Sequence, residues 1–213
     1  RINNQINNRT LMLAGISHDL RTPLTRMNLQ IALLKDKNAI KNLSGDVLEM
    51  REMIDTYLAF ARGEKEEKVK NTNIFRLIKK LCEKDIMDSK KVIKNRINKD
   101  LYVNIKQFAM KRALLNIILN AIYYSKKIIE ISSKERNGYF SIFIEDDGKG
   151  IPKNKREAVF KAFYRIDEAR LSKSANTGLG LTIAKDIIQG HGGRIILSSS
   201  LLGGLKVELN LPN

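Results

Sequence analysis

Two stripes of apolar residues near the N-terminus place the strongest constraint on the fold of this 213-residue chain. Such spacing lines apolar side chains along one face of a helix, and alternating steps of four and three are typical of helical bundles. The sequence therefore opens with two predicted helices. The first stripe runs from Leu13 through Ile16, Leu20, Leu24, Met27, Ile31 and Leu34, and the second contains Leu43, Val47, Met50, Ile54, Tyr57 and Ala61.

The polar residues 36–42 between the stripes predict a loop, so the two helices should form an antiparallel hairpin. A lone hairpin buries its apolar stripe poorly. We therefore expect two copies of the chain to close a dimeric four-helix bundle, that is, a homodimer. The alternative is a hairpin that packs against the rest of its own chain.

A histidine beside a carboxylate lies on the first predicted helix. His18 is two positions from Ile16, about 200° around the helix, so it should point away from the apolar stripe. Pro23 lacks the N–H that would bond to the carbonyl of Asp19, which predicts a bend after the histidine. The alternative is an exposed histidine with an accidental acidic neighbour.

The stretch 63–68 contains no apolar residue and predicts a linker, which divides the chain into domains 1–67 and 68–213. Beyond it, helical and strand patterns alternate in blocks. The predicted fold class is α+β, with the hairpin followed by a two-layer α/β sandwich. The predicted helices are 74–82, 107–124 and 181–189, and the predicted strands are 92–97, 101–105, 128–132, 139–145, 194–198 and 205–211.

Two segments of the second domain carry polar groups at spacings that suit a nucleotide. Asn116, Asn120 and Tyr124 follow one another in steps of four and share one helix face. An amide oxygen suits Mg²⁺ beside phosphates, and an aromatic ring can cover a purine. The sequence EDDGKGIP at 145–152 follows a strand, and a buried aspartate there could accept a hydrogen bond from the adenine amine. Alone, the first segment could be a surface amide ladder and the second a simple turn.

A third segment, Thr177, Gly178, Leu179 and Gly180, precedes a predicted helix. Glycines at that point expose N–H groups and the positive end of the helix dipole to phosphate. The Gly-Lys-Ser/Thr sequence of a Walker loop is missing. Upstream, the polar stretch 170–176 predicts a mobile lid that carries cations.

The formal charge of +16 raises the question of nucleic acid, but the lysines are spread along the chain and no base-reading motif is present. We expect solvated surface, with attraction to phosphate-bearing ligands and nucleic-acid binding as alternatives. The single cysteine, Cys82, rules out an intramolecular disulfide and fits a reducing cytosol. No apolar run is long enough to span a membrane, so we expect a soluble fragment.

The sequence LAGISHDLRTPLT at 13–25 resembles the phosphoacceptor box of bacterial sensor histidine kinases, and most closely that of the EnvZ-like, OmpR-partnered group. The Asn-containing segment at 112–124, the Asp-Gly segment at 145–152, the Phe-containing sequence FKAFYR at 160–165 and the Gly-containing segment at 177–181 resemble, in order, four boxes of an ATP-binding domain. This domain is of the GHKL, or Bergerat, type. These five motifs cover nearly the whole chain.

The resemblance implies that His18 is the nucleophile that takes a phosphoryl group from ATP, and that Asp19 takes or holds its proton. The phosphoryl group would then pass to an aspartate of a response regulator. Thr22 would position water when the protein dephosphorylates that regulator. The alternative is a protein that acts mainly as a regulator phosphatase. The resemblance also implies a place on the cytoplasmic side of the bacterial inner membrane, with membrane contact only through segments outside this chain.

For the second domain, the resemblance implies that Asn120 coordinates Mg²⁺, that Asn116 lies near the phosphates and that Tyr124 packs on adenine. Asp147 would bind the adenine amine, and Arg165 and the lid would surround the phosphates. The glycine-containing segments would contribute Gly148, Gly150, Thr177, Gly178, Leu179 and Gly180.

The sequence departs from the family pattern at two positions. Asn176 stands where a glycine usually opens the last box, and Tyr123 stands where a lysine or another polar group often precedes the tyrosine. The second departure puts one phosphate contact in doubt. The other histidine, His191, follows a predicted helix, and we interpret it as a C-terminal cap or a surface residue.

Overall fold

The computed structural model describes residues 23–27, 29–36, 39–40, 43–45, 47, 50, 67–85, 91–136, 138–162, 164–166 and 178–212. The chain divides into two compact units, residues 1–65 with 173–177 and residues 66–172 with 178–213. The domain boundary after residue 67 stays a prediction.

The first unit contains helical residues from both predicted stripes. Leu24 and Ile31 of the first stripe and Val47 of the second are buried together, and Ile40 packs against them. This is the packing expected of two amphipathic helices that share an apolar seam. The bend at Pro23 involves Asp19, which lies outside the described residues, as do His18 and Thr22.

The predicted loop at 36–42 is too long, because Ala39 and Ile40 are already helical. Asp36 explains the early start. Its Oδ1 accepts the N–H of Ala39 at 3.3 Å, and its carbonyl accepts the N–H of Ile40 at 2.9 Å. An aspartate in this position satisfies a free donor at the start of a helix, which stabilises the helix by about 1 kcal/mol.

The second unit is a two-layer α/β sandwich, which confirms the predicted fold class. The strands are β1 (Lys70–Asn73), β2 (Val92–Arg96), β3 (Tyr102–Ile105), β4 (Ile128–Arg136), β5 (Tyr139–Asp146), β6 (Arg194–Ser199) and β7 (Leu205–Pro212). A five-stranded sheet has the order β2-β4-β5-β7-β6, in which β2 and β4 are parallel and the other neighbours are antiparallel. Strands β1 and β3 form a separate antiparallel pair. The helices are α1 (Ile74–Asp85), α2 (Gln107–Tyr124) and α3 (Gly180–Gly190).

Helix α1 follows β1 without a loop, and a single side chain marks the change. Asn73 is the last residue of β1, and its Oδ1 accepts the N–H of Arg76 at 2.8 Å, which caps the helix. Its Nδ2 donates to the carbonyl of Lys99 at 2.7 Å. The helix then buries one face through apolar residues at the spacing of an amphipathic helix, namely Ile74, Leu77, Ile78 and Leu81.

Strand β5 lies in the middle of the sheet, and its side chains alternate between the two faces. Phe140, Ile142 and Ile144 are buried, and the residues between them are half-buried. The same alternation continues to Asp146, the last residue of the strand. The hairpin from β4 turns at Gly138, whose φ is +78°. The predicted turn residue Asn137 lies outside the described residues.

Most element boundaries lie close to their predicted positions, and α2 has the predicted bounds. Helix α3 begins at Gly180, one residue before the predicted start. Strand β4 extends to Arg136 and helix α1 extends to Asp85, both beyond the predicted ends. Among the described residues, no helix has the length and the apolar character needed to cross a membrane.

The N-terminus of α2 is held by side chains from two other parts of the chain. The carboxylate of Glu67 accepts the N–H groups of Phe108 and Ala109 at 2.6 and 3.1 Å. The N–H of Lys106 donates to Nε2 of His191 at 3.0 Å, so the ring proton lies on Nδ1, which donates to the carbonyl of Ile187 at 2.8 Å. His191 also forms the C-cap of α3, which confirms its interpretation as a capping residue.

Candidate nucleotide-binding site

The predicted amide residues on α2 and the start of α3 lie beside each other. A Cβ atom added at Gly180 would lie 3.5 Å from Nδ2 of Asn120 and 3.7 Å from Cβ of Asn116. The glycine therefore lets the first turn of α3 approach the two amides closely. The structure thus brings together two of the segments that the sequence assigned to one site.

Asn116 carries a hydrogen-bond donor that no described residue accepts. Its Nδ2 atom is buried and has no hydrogen-bond partner among the residues that the structure describes. A buried donor without an acceptor costs about 1–3 kcal/mol. A ligand with acceptor oxygens would satisfy this group.

The start of α3 offers further donors at the same place. Leu179 is the N-cap residue, and no side chain in the described part of the chain caps the helix there. Gly178 has a φ of +71°, a conformation that favours glycine. The uncapped N–H groups and the Asn116 amide together suit an anionic ligand such as a phosphate.

Asp146 supplies a buried carboxylate at the end of β5, where it is 3% exposed. Its Oδ1 accepts the N–H groups of Gly148 at 2.8 Å and Leu205 at 3.2 Å. Burial raises the pKa of Asp146 above its usual value, although these two donors act in the opposite direction and the charge of Asp147 adds to the increase.

Asp147, the predicted adenine ligand, uses its carboxylate differently. Its Oδ1 accepts the N–H groups of Lys126 and Lys127 at 2.8 and 3.0 Å, and its Oδ2 accepts those of Lys127 and Ile128 at 3.1 and 3.0 Å. Burial acts to raise the pKa of Asp147, but the N–H donors outweigh it and lower the pKa. With both oxygens bound to the backbone, Asp147 is poorly suited to bind a base.

The buried carboxylate of this motif is therefore Asp146, which the sequence reasoning passed over. The alternation of residues along β5 indicates that Asp146 is the buried aspartate. Phe140, Ile142 and Ile144 alternate with polar or half-buried positions, and one more step of two reaches Asp146. A period of two places position 146 on the buried face and turns position 147 away from it.

Gly148 and Gly204 allow neighbouring atoms to approach the backbone around Asp146 more closely than a side chain would permit. A Cβ at Gly148 would collide with the carbonyl oxygen of Tyr124, and a Cβ at Gly204 would collide with Oδ1 of Asp146. Gly150 has a φ of +67°, which other residues rarely adopt. The loop after β5 thus contacts both the end of α2 and the β6–β7 turn.

The contacts of the site do not include the side chains of the remaining predicted residues that the structure describes. Tyr124 is half-exposed, and its ring meets that of Tyr123 edge to face with 4.7 Å between the ring centroids. Arg165 is exposed. Thr177 lies outside the described residues.

A short 3-10 turn at Ala158–Phe160 packs on α3. Thr182 donates its hydroxyl to the carbonyl of Phe160 at 3.0 Å, and Nζ of Lys185 lies 5.0 Å from the centre of the Phe160 ring. Thr182 and Lys185 were not predicted from the sequence. They anchor the segment that leads toward residues 164–166.

The hydrogen bonds of Asp147 predict an acid-sensitive contribution to stability. Because folding lowers its pKa, the contribution is complete above the ordinary aspartate pKa of about 3.9 and is lost as the pH falls through the lower folded value. We expect Asp147→Asn to lower the free energy of unfolding by about 2 kcal/mol at pH 7, and by less below pH about 4. Urea unfolding across this pH range measures the difference; a constant difference at all pH values would contradict the prediction.

Fold and site together define a two-layer α/β sandwich with a site suited to a phosphorylated nucleotide. Residues 105–213 match the family model described as histidine kinase-, DNA gyrase B-, and HSP90-like ATPase. Residues 8–66 match the His Kinase A (phospho-acceptor) domain. The chain therefore belongs to the family of histidine kinase-, DNA gyrase B- and HSP90-like ATPases. The segment that matches a phospho-acceptor domain lies before the ATPase part in the same chain.

Among curated proteins, the chain is similar to sensor histidine kinase CpxA of Escherichia coli strain K12, with 34% identity over 94% of this chain and 46% of the relative. It is 31% identical to sensor histidine kinase WalK of Bacillus subtilis strain 168, over 94% of this chain and 36% of the relative. The chain thus spans less than half the length of these relatives. The crystal structure of full-length ShkA in complex with AMPPNP has a TM-score of 0.74 at 20% identity, over 94% of this chain and 45% of that chain, and shares its fold.

Proposed function

We propose that this chain is the catalytic core of a bacterial sensor histidine kinase, which transfers a phosphoryl group from ATP to His18. The observation that carries the proposal is the buried amide of Asn116 beside the N-terminus of α3, both of which lack a hydrogen-bond partner among the side chains that the structure describes. These donors need acceptor oxygens, and the phosphates of a nucleotide provide them. Membership in the ATPase family and the match to a phospho-acceptor domain support this assignment.

Asp146 is the residue that we assign to the base. Its carboxylate is buried, so an amine donor would bind it away from competing water. Adenine presents an amine at its sixth position, whereas guanine presents a carbonyl that an ionised carboxylate would repel. Tyr124 ends α2 beside this loop, and its half-exposed ring is available to cover a purine.

The residues present also fit a magnesium ion held jointly with phosphate. No group of three or more His, Cys, Asp or Glu side chains among the described residues could hold a metal alone. An ion would therefore depend on phosphate oxygens and a neutral ligand, for which we propose the side-chain oxygen of Asn120 beside Gly180. When bound, Mg²⁺ would neutralise charge on the phosphates. Asn116 would meanwhile donate its free amide N–H to an acceptor oxygen.

In the proposed reaction, a ring nitrogen of His18 bonds to the γ-phosphorus while the bond from that phosphorus to the leaving oxygen of ADP breaks. Asp19 would take or hold the imidazole proton, which keeps the attacking nitrogen unprotonated. Catalysis of this kind depends mainly on positioning and on charge stabilisation. The exposed Arg165 would add positive charge near the phosphates.

Apolar residues on the hairpin support the proposed homodimer. Leu24, Ile31 and Val47 fill the seam within one chain. Further members of the two stripes stay 42–45% exposed, namely Met27, Leu34, Leu43 and Met50. A second copy of the hairpin would bury these side chains in a four-helix bundle.

The test of the kinase assignment is incorporation of labelled phosphate from ATP and Mg²⁺. We expect wild-type protein to take up acid-labile, base-stable phosphate and His18→Gln to take up none, while both bind ATP equally. Equal binding would show that the substitution removes the acceptor and leaves the nucleotide site intact. Uptake by the variant at the wild-type rate would refute the assignment of His18.

We further propose that the phosphoryl group passes to an aspartate of a response regulator of the OmpR group, and that the protein also removes it. Thr22, four residues after His18 in the sequence, would position the hydrolytic water. We expect Thr22→Ala to slow the loss of phosphate from a phosphorylated regulator while autophosphorylation continues. An unchanged rate of loss would exclude this role for Thr22. The place at the cytoplasmic side of the inner membrane stays a prediction.

A further inference from the structure

We infer that Asp147 and Lys91 form a charged clamp on the backbone of residues 125–128, and that this clamp positions the base end of the site. Asp147 is thus a positioning residue and not a ligand of the base. The inference rests on the proposed nucleotide function and adds two residues that act through the backbone.

The two side chains bind opposite poles of one short segment, the connection between α2 and β4. Nζ of Lys91 donates to the carbonyls of Ser125 and Lys126 at 2.6 and 2.8 Å. Asp147 accepts the N–H groups of Lys126, Lys127 and Ile128. A cation at the carbonyl end of a helix and an anion at free N–H groups each stabilise the backbone that they contact.

The carboxylate of Asp147 binds backbone N–H groups and does not form an ion pair with the side chains of Lys126 or Lys127. The hydrogen bonds of Asp147 described here go to backbone N–H groups, and two of its three donor residues carry positive side chains that are exposed. The lowered pKa of Asp147 reflects these N–H donors. The carboxylate therefore serves the chain conformation at 126–128.

Residues 125–128 are joined to the proposed base site, around Asp146, through Tyr124. Tyr124 directly precedes it, and the carbonyl oxygen of Tyr124 lies where a side chain at Gly148 would be. Gly148 in turn donates its N–H to Asp146 at 2.8 Å. A shift of residues 125–128 would move this carbonyl and the Tyr124 ring relative to Asp146, the proposed acceptor of the adenine amine.

Loss of a positioning residue and loss of a base ligand should have different effects on nucleotide affinity. Loss of a base ligand lowers affinity for the nucleotide whose amine it binds, and so changes the preference between bases. Loss of the clamp disturbs the site for every base, since the ring of Tyr124 and the loop at Gly148 serve purines alike. Affinity for different purine nucleotides should then fall by a common factor.

The test compares dissociation constants for ADP and for inosine diphosphate, which carries a carbonyl in place of the amine, using the full 213-residue chain. We expect Asp147→Asn and Lys91→Met each to weaken both ligands about 5- to 20-fold, with the ratio of the two constants unchanged. Lys91→Arg, which keeps the charge and can reach two carbonyls, should restore most of the affinity. Lys134→Met removes an exposed lysine of β4 and serves as the matched control, with wild-type constants.

Asp146→Asn provides the contrast, because it should weaken the binding of ADP far more than that of inosine diphosphate. The ratio of the ADP constant to the inosine diphosphate constant should therefore rise. If Lys91→Met bound both ligands with wild-type affinity, the clamp would be overturned. Lys91 is partly exposed, and circular dichroism can check that the variant is folded. A raised ratio in Asp147→Asn with an unchanged ratio in Asp146→Asn would also overturn the clamp, since Asp147 would then be the base ligand. A wild-type chain that binds neither ligand would refute the proposed function together with the inference.

Discussion

Replacement of Asp146 by asparagine is expected to weaken ATP binding by about 10- to 100-fold, which is the worth of a buried hydrogen bond to a charged group. Asparagine keeps the shape of aspartate and one acceptor oxygen, so it can still bind the N–H groups of Gly148 and Leu205. It replaces the second oxygen by an NH₂ group, which would face the adenine amine donor to donor. Calorimetric titration with ATP, or with ADP as a stable ligand, measures the loss.

Glu145 provides the matched control for this experiment. It precedes Asp146 on the same strand but lies on the other face of the sheet, where it pairs with Lys206 at 3.3 Å. We expect Glu145→Gln to bind ATP with the wild-type constant. If Glu145→Gln lost affinity and Asp146→Asn kept it, the assignment of the buried carboxylate to the base would be wrong.

The second large effect is expected from Gly204→Ala. An added Cβ would overlap Oδ1 of Asp146 and crowd the N–H of Gly148, which are both parts of the proposed base site. Neither group can move freely, because Asp146 is buried and the N–H of Gly204 itself donates to the carbonyl of Asp146 at 3.1 Å. We expect the free energy of unfolding to fall by about 3 kcal/mol, as for other overpacked sites, together with loss of ATP binding.

Gly190→Ala is the control for this substitution. Position 190 ends α3, and a Cβ there would meet no atom within 4 Å. The free energy of unfolding should therefore stay within about 0.5 kcal/mol of wild type, or rise slightly because alanine favours helix. Urea unfolding curves of the two variants measure the contrast. A Gly204→Ala variant as stable as Gly190→Ala would show that the turn adjusts at little cost.

The parts of the fold with strong periodicity were predicted well. Helix α2 has the predicted bounds, and the alternating residues of β5 form a central strand of the sheet. Strand β1 was missed because its four residues, Lys70–Asn73, are all polar and show no apolar alternation. Its pairing with β3 comes from contacts about 30 positions away in the sequence, which local pattern does not encode.

The site was predicted in its parts rather than in its details. The helix spacing indicated that Asn116 and Asn120 share one face of α2, and Gly180, predicted from a separate glycine segment, lies beside both amides. Asp146 could be assigned to the base in preference to Asp147 only once the structure showed that the end of β5 is buried. The contacts of Lys91 with the end of α2 span 34 and 35 residues. Such contacts exist only once the chain is folded, so neither composition nor periodicity could indicate them.

The bonds of Glu67 have a practical consequence for anyone who shortens this chain to its ATPase part. The match to the ATPase family begins at residue 105, which suggests a later starting point than the fold allows. A fragment that begins at Val69 would keep every strand and helix described in the second unit. It would lack the carboxylate of Glu67, which accepts the N–H groups of Phe108 and Ala109. A fragment that begins at residue 66 keeps this carboxylate. We expect the longer fragment to melt at the higher temperature, because the acidic residue ahead of β1 completes the first turn of the helix that carries both amides.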